Sequence, residues 1–150
     1  MSTITATNLH GDTIRKTGGS LGVDIRVKNT SVYESDGGTS VTQNLVQGLI
    51  KSWVNFDGSG DMTPRDSFNV SGIVDNGTGT YTVSFNNDFS NANYATSFAS
   101  GDYSGTDDAG HNQYIHTFTT GAITMLTFHY SNGSNTDVTA LTSQQSGDLA

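Results

Sequence analysis

Thirteen residues, Ile73 to Phe85, read IVDNGTGTYTVSF, and they leave this chain little choice of local structure. Tyr81, Val83 and Phe85 stand at alternate positions, with Thr82 and Ser84 between them. A two-residue period puts the large side chains on one face of an extended strand and the small polar ones on the other. Asp75-Asn76-Gly77-Thr78-Gly79 precedes that run, and Ile73-Val74 precedes the turn. Asp, Asn and Gly supply the side-chain-capped and left-handed conformations that a tight reversal needs. The reading is an antiparallel hairpin with one buried face.

The same grammar surrounds it. Trp53, Val54 and Phe56 run into Asp57-Gly58-Ser59-Gly60, where a strand must end. Further strands are expected at Tyr94 to Phe98, over Tyr114, His116 and Phe118, at Met125 to Tyr130, and briefly at Val138 to Leu141. Gln144-Gln145-Ser146-Gly147 follows before the terminal Asp148-Leu149-Ala150. Many short strands with turn signals between them point to an antiparallel sandwich or jelly roll. The supply of core residues is thin, because Phe, Ile, Leu and Val together make up only about a fifth of the 150 residues. With no cysteine, disulfides cannot compensate, so burial between subunits is expected to supplement the core.

Upstream, Thr3 to Thr7 and Val23, Ile25 and Val27 alternate weakly around a Thr17-Gly18-Gly19-Ser20 joint. Residues 1–40 are therefore read as an extended arm for attachment or assembly. Ser40 and Gln43 have capping-box spacing, and Val41, Leu45 and Leu49 follow at intervals of four. That pattern predicts a short linking helix over 41–52. The fold expected is all-β: an antiparallel β-sandwich or jelly-roll-like body over 53–150, with one short helix and an extended N-terminal arm.

Charge narrows the partners. The net charge is −8 with only six Lys and Arg, so no phosphate-tracking surface can form and nucleic acid is not an expected partner. No apolar run reaches the length of a membrane span, and no basic-then-apolar leader opens the chain, so membrane insertion is not expected and synthesis in a cytoplasm is.

Candidate sites are few. Asn55, Asp57, Ser59, Gly60 and Asp66 imitate the spacing of a calcium loop, but Asn stands first, Asp replaces the twelfth-position Glu, and strands replace the flanking helices. A polar turn is the simpler reading. His111, His116 and His129 are the other metal candidates, and His116 and His129 could face each other across neighbouring strands or gather around a symmetry axis, although half-buried sheet histidines are the commoner case; no metal and no cofactor are assigned. There is no Gly-x-Ser-x-Gly elbow and no Cys nucleophile, so an enzyme is not expected. The most polar loop, Gly101 to Gly110, is the expected contact tip, through Asp102, Tyr103, Asp107 and Asp108, with Tyr103 stacking on a sugar. Trp53, at a helix-to-strand junction, is expected in the core.

Three segments together carry a resemblance: Trp53-Val54-Asn55-Phe56, the hairpin over 70–85 (VSGIVDNGTGTYTVSF), and Asn93-Tyr94-Ala95. They resemble a module of small virion proteins of tailed bacteriophages, of the tail-fibre type. The resemblance covers about residues 45 to 100 and carries no catalytic residues. It implies a β-rich structural protein of the virion, made in the host cytoplasm, that forms a homotrimer, assembles with other virion proteins through its N-terminal arm and exposes its β domain, with a host-surface glycan as candidate partner. A capsid-decorating cement or head-fibre protein is the first alternative, and a carbohydrate-binding module the second.

Overall fold

A computed structural model describes residues 32–34, 42–44, 48–101 and 110–150. Two short strands come first, β1 (Val32–Glu34) and β2 (Thr42–Asn44), paired antiparallel with each other. Eight more follow: β3 (Ile50–Phe56), β4 (Pro64–Phe68), β5 (Val70–Asp75), β6 (Thr80–Phe85), β7 (Ala95–Gly101), β8 (His111–Phe118), β9 (Ala122–His129) and β10 (Ala140–Ser146). They form two four-stranded antiparallel sheets, ordered β4-β3-β10-β7 and β5-β6-β9-β8. Val54, Phe56 and Leu141 of the first sheet pack with Tyr81, Val83, Ile123 and Met125 of the second. Phe56 and Tyr81 meet edge-to-face across the interface, their ring centroids 5.5 Å apart. The expected β-sandwich is present.

The hairpin forms as its residues require. Asp75 Oδ1 accepts from the Gly77 amide at 2.8 Å, and Gly77 and Gly79 take φ of 114° and 68°. Val83 and Ile73 then pair, and Val83 faces Ile123 on the other side. A second reversal joins the sheets. Asn69, between β4 and β5, adopts φ 57°, an angle that Asn tolerates better than most residues. It is buried, and its side-chain amide clamps the chain to Asn87 through bonds of 2.8 and 3.1 Å.

Two expectations need correction. The helix predicted over 41–52 is not what the described part of that segment adopts, since Thr42–Asn44 is β2 and β3 begins at Ile50; residues 41 and 45–47 lie outside the described residues. Spacings of four and eight share a face on a strand as well as on a helix, so Val41, Leu45 and Leu49 could not discriminate. The cross-strand ladder from Ile50 to Phe56 with β10 decided it. The last strand is also displaced, from 138–141 to Ala140–Ser146, and it is central to its sheet. Its inward residues include Ser143 and Gln145, so its buried face carries no hydrophobic period to read.

Candidate functional site

Alternation fixes what β3 shows to solvent. Ser52, Val54 and Phe56 are buried, so Trp53 and Asn55 point out of the sandwich. The opposite register would bury Asn55 and expose Val54 and Phe56, which costs more than leaving one indole half-exposed. Trp53 is therefore not the core residue expected from sequence. It sits mid-strand on the outer face, half-buried against its neighbours.

Sheet register then builds a trough around it. Trp53 pairs with Gln144, and Gln144 with Ser97; Asn55 pairs with Thr142, and Thr142 with Ala99. These six residues, from β3, β10 and β7, line a cavity of about 460 Å³. Phe68, opposite Trp53 on β4 and 55% exposed, extends the upper row into a second aromatic position. Along that row lie Phe68, Trp53, Gln144 and Ser97: two aromatic rings, one carboxamide and one hydroxyl. Among the described residues none of those lining the trough is charged, and the nearest charges, Asp66 opposite Asn55 on β4 and Arg65 beside it, stand at its edge.

Its rim is held by turns. Arg65 Nη2 donates to Asp57 Oδ2 at 3.1 Å and to the Thr139 carbonyl at 2.8 Å, and Arg65 Nη1 reaches Asn55 Oδ1 at 3.4 Å. The opposite side is fixed by Gln113 of β8, which donates to the Phe98 carbonyl at 2.8 Å and accepts from the Ser100 hydroxyl. Ser97, Thr142 and Gln144 thus project from strands whose positions are set on both flanks. Pre-set polar groups beside an exposed indole suit binding of an uncharged ligand that has both apolar faces and hydroxyls.

The sequence candidates fare differently. Asp57, the centre of the calcium-like spacing, accepts from the Ser59 amide and hydroxyl at 2.9 and 2.8 Å and pairs with Arg65. Asp61 accepts from Thr63, and Asp66 from the amide of Ser67. Asp57 and Asp61 close separate turns, Asp66 lies within β4, and the three do not converge. His116 does not face His129: the register places it beside Met125 and Thr124, unpaired at a bulge and next to Tyr114, and brings His111 opposite His129 instead. Asp102, Tyr103, Asp107 and Asp108 lie outside the described residues.

Sequence reading missed Asn55, Thr142, Gln144 and Ser97 as a set. Each is an ordinary small polar residue, and only the pairing of β3 with β10 and β10 with β7 brings them together. Outward alternation in β3 and β7 was the available signal, and it could not say which strands would be neighbours. When the chain is compared with known proteins, no family model, no curated protein and no solved structure matches it.

Proposed function

We propose that this chain is a structural component of a tailed-phage virion, of the tail-fibre type, whose β-sandwich presents the Trp53 trough to a neutral host-surface glycan. The observation that carries the binding half is the uncharged row of Trp53, Gln144 and Ser97 on a rigid sheet face. A hexopyranose offers a C–H face that stacks on indole and ring hydroxyls that pair with carboxamides and hydroxyls. The cavity falls within the range of about 300–1,000 Å³ common for ligand sites. A net charge of −8 disfavours polyanions. Support for the virion half comes from the resemblance: its Trp-Val-Asn-Phe segment lies within β3 and its hairpin forms β5 and β6, the strands that frame the body. Exposed Val74 and Tyr114, both on the outer face of the second sheet, favour burial against further copies, in line with a homotrimer.

Trp53 is the only tryptophan, so its emission reports directly on the trough. On an array of neutral glycans the protein should bind at least one class and shift Trp53 emission on titration. Gln144→Ala, at an exposed position, should weaken that binding about tenfold, as loss of a hydrogen-bonding partner does. No binding anywhere on the array would remove the trough reading. Immunogold labelling of purified virions tests the other half: label on tails supports it, label on heads transfers the chain to capsid decoration, and absence from particles with glycan binding intact leaves a carbohydrate-binding module.

A further inference from the structure

A second feature lies apart from the trough and does not depend on the reading above. His111 opens β8 and His129 closes β9, and the two are direct cross-strand partners. Direct partners on one face hold their Cβ atoms about 4.5–5.5 Å apart, close enough for both side chains to reach one point. Their imidazole centroids are 5.3 Å apart, with the ring planes tilted by 33°. Both residues are half-buried, so the rings are held by the sheet yet open to solvent on one side.

That separation has a chemical meaning. An imidazole nitrogen lies roughly 1.2 Å from its ring centre and about 2.0–2.1 Å from a bound zinc ion, so two imidazoles on a tetrahedral ion have centres roughly 5.2 Å apart. We propose that His111 and His129 form a two-imidazole site for a borderline divalent cation of the zinc, nickel or copper class. Nitrogen donors select such ions over calcium and magnesium, which prefer oxygen. Among the described residues no cluster of three or more His, Cys, Asp or Glu could hold a metal. In this reading water fills the remaining positions, which makes the site open and exchangeable. The ion would tie the first residue of edge strand β8 to the last residue of β9, fixing the end of the sheet beside Tyr130.

The test is a titration of the full chain with ZnCl2 and, separately, NiCl2, followed by calorimetry and by the imidazole C–H signals in NMR spectra. One ion per chain should perturb His111 and His129 together, raise the melting temperature, and bind more weakly as pH is lowered, because imidazole ligates only when neutral. His111→Gln and His129→Gln should each reduce affinity by at least about tenfold, the least that loss of even an outer-shell partner of a metal site costs. His116→Gln and His10→Gln should leave affinity unchanged, and MgCl2 should produce no saturable effect. If a ligand variant fails to fold, the wild-type signals decide alone. The site is overturned if zinc leaves both imidazoles unmoved, if His116 or His10 leads the response, or if both single variants bind as the parent does.

Discussion

The two ends of the sandwich interior solve the same shortage of apolar residues in opposite ways. At one end Tyr81 is fully buried, and its hydroxyl lies 2.9 Å from both Asp137 Oδ1 and the Gly58 carbonyl, so its proton has an acceptor in either orientation. The Gly79 amide donates to the same Asp137 oxygen at 2.7 Å. Burial, reinforced by Asp137, pushes the Tyr81 hydroxyl well above its ordinary pKa, so it stays a donor throughout the working pH range. Toward the other end, Phe89 stacks on Tyr94 at 4.2 Å, but the inward side chains of β3 and β10 are Ser52, Ser143 and Gln145. Gln145 Nε2 donates to Thr96 at 3.2 Å, whereas Gln145 Oε1 and both serine hydroxyls have no partner among the described residues. One end matches its buried polar groups throughout; the other matches the Tyr94 hydroxyl, 3.1 Å from the Thr119 and Ala122 carbonyls, but leaves those three atoms unmatched. Polar groups stabilise an interior only where their partners are supplied, and the cost of orphaned ones is comparable to what matched ones contribute.

The matched end is also the tighter one, and it should break hardest. Gly79 has φ 68°, and a Cβ there would collide with the Thr127 carbonyl and come within 2.8 Å of the backbone of Thr136. Neither neighbour is a flexible side-chain tip that could move aside. Gly79→Ala should cost about 2–4 kcal/mol, combining left-handed strain with a backbone shift. The denaturant midpoint measures it. A loss below about 1 kcal/mol would show that this end yields more easily than its contacts imply.

Tyr81→Phe asks a narrower question, because it keeps the ring against Phe56 and removes only the hydroxyl. Asp137 is exposed enough to recover water, and it keeps the Gly79 amide. The expected loss is about 1–2 kcal/mol, between the ranges for neutral and charged hydrogen bonds because Asp137 is exposed. Chemical denaturation beside the wild type reads this directly. A neutral outcome would erase the distinction between the two ends.

The difference between the ends also explains what was legible in the sequence. The hairpin was readable because Tyr81, Val83 and Phe85 alternate and Asp75 caps its own turn, both local effects. The separate roles of Asp57 and Asp61 were readable as turns for the same reason. Trp53 was misread because Trp-Val-Asn-Phe alternates equally well in either register, and the choice is made by Asn55, which would have been buried beside it. The central strand β10 was placed too early, at 138–141, because Ser143 and Gln145 take the positions where apolar residues signal a core. His111 and His129 were not paired because one bulged residue between Ile115 and Thr117 shifts the register. What local periodicity carried was visible; what strand neighbours decide was not.

Ser143→Ala carries the smallest expected effect and the most informative sign. Ser143 is 4% exposed, lies between Val54 and Phe98 in the ladder, and its hydroxyl has no hydrogen-bond partner. Removing an unmatched hydroxyl relieves its desolvation, while the methyl left behind preserves most of the contact with its neighbours. Alanine suits a central strand less well than residues with branched side chains, a small opposing term. The net expectation is a gain of about 0–1 kcal/mol, the reverse of Tyr81→Phe. Should Ser143→Ala instead destabilise by as much as Tyr81→Phe, the hydroxyl must be matched in solution, and a buried water bridging Ser52, Ser143 and Gln145 is the species that can do it. Such a water would be long-lived and visible by magnetic relaxation dispersion. Its absence, together with a stabilised Ser143→Ala, would establish that this end of the sandwich tolerates unmatched polar groups that the Tyr81 end does not.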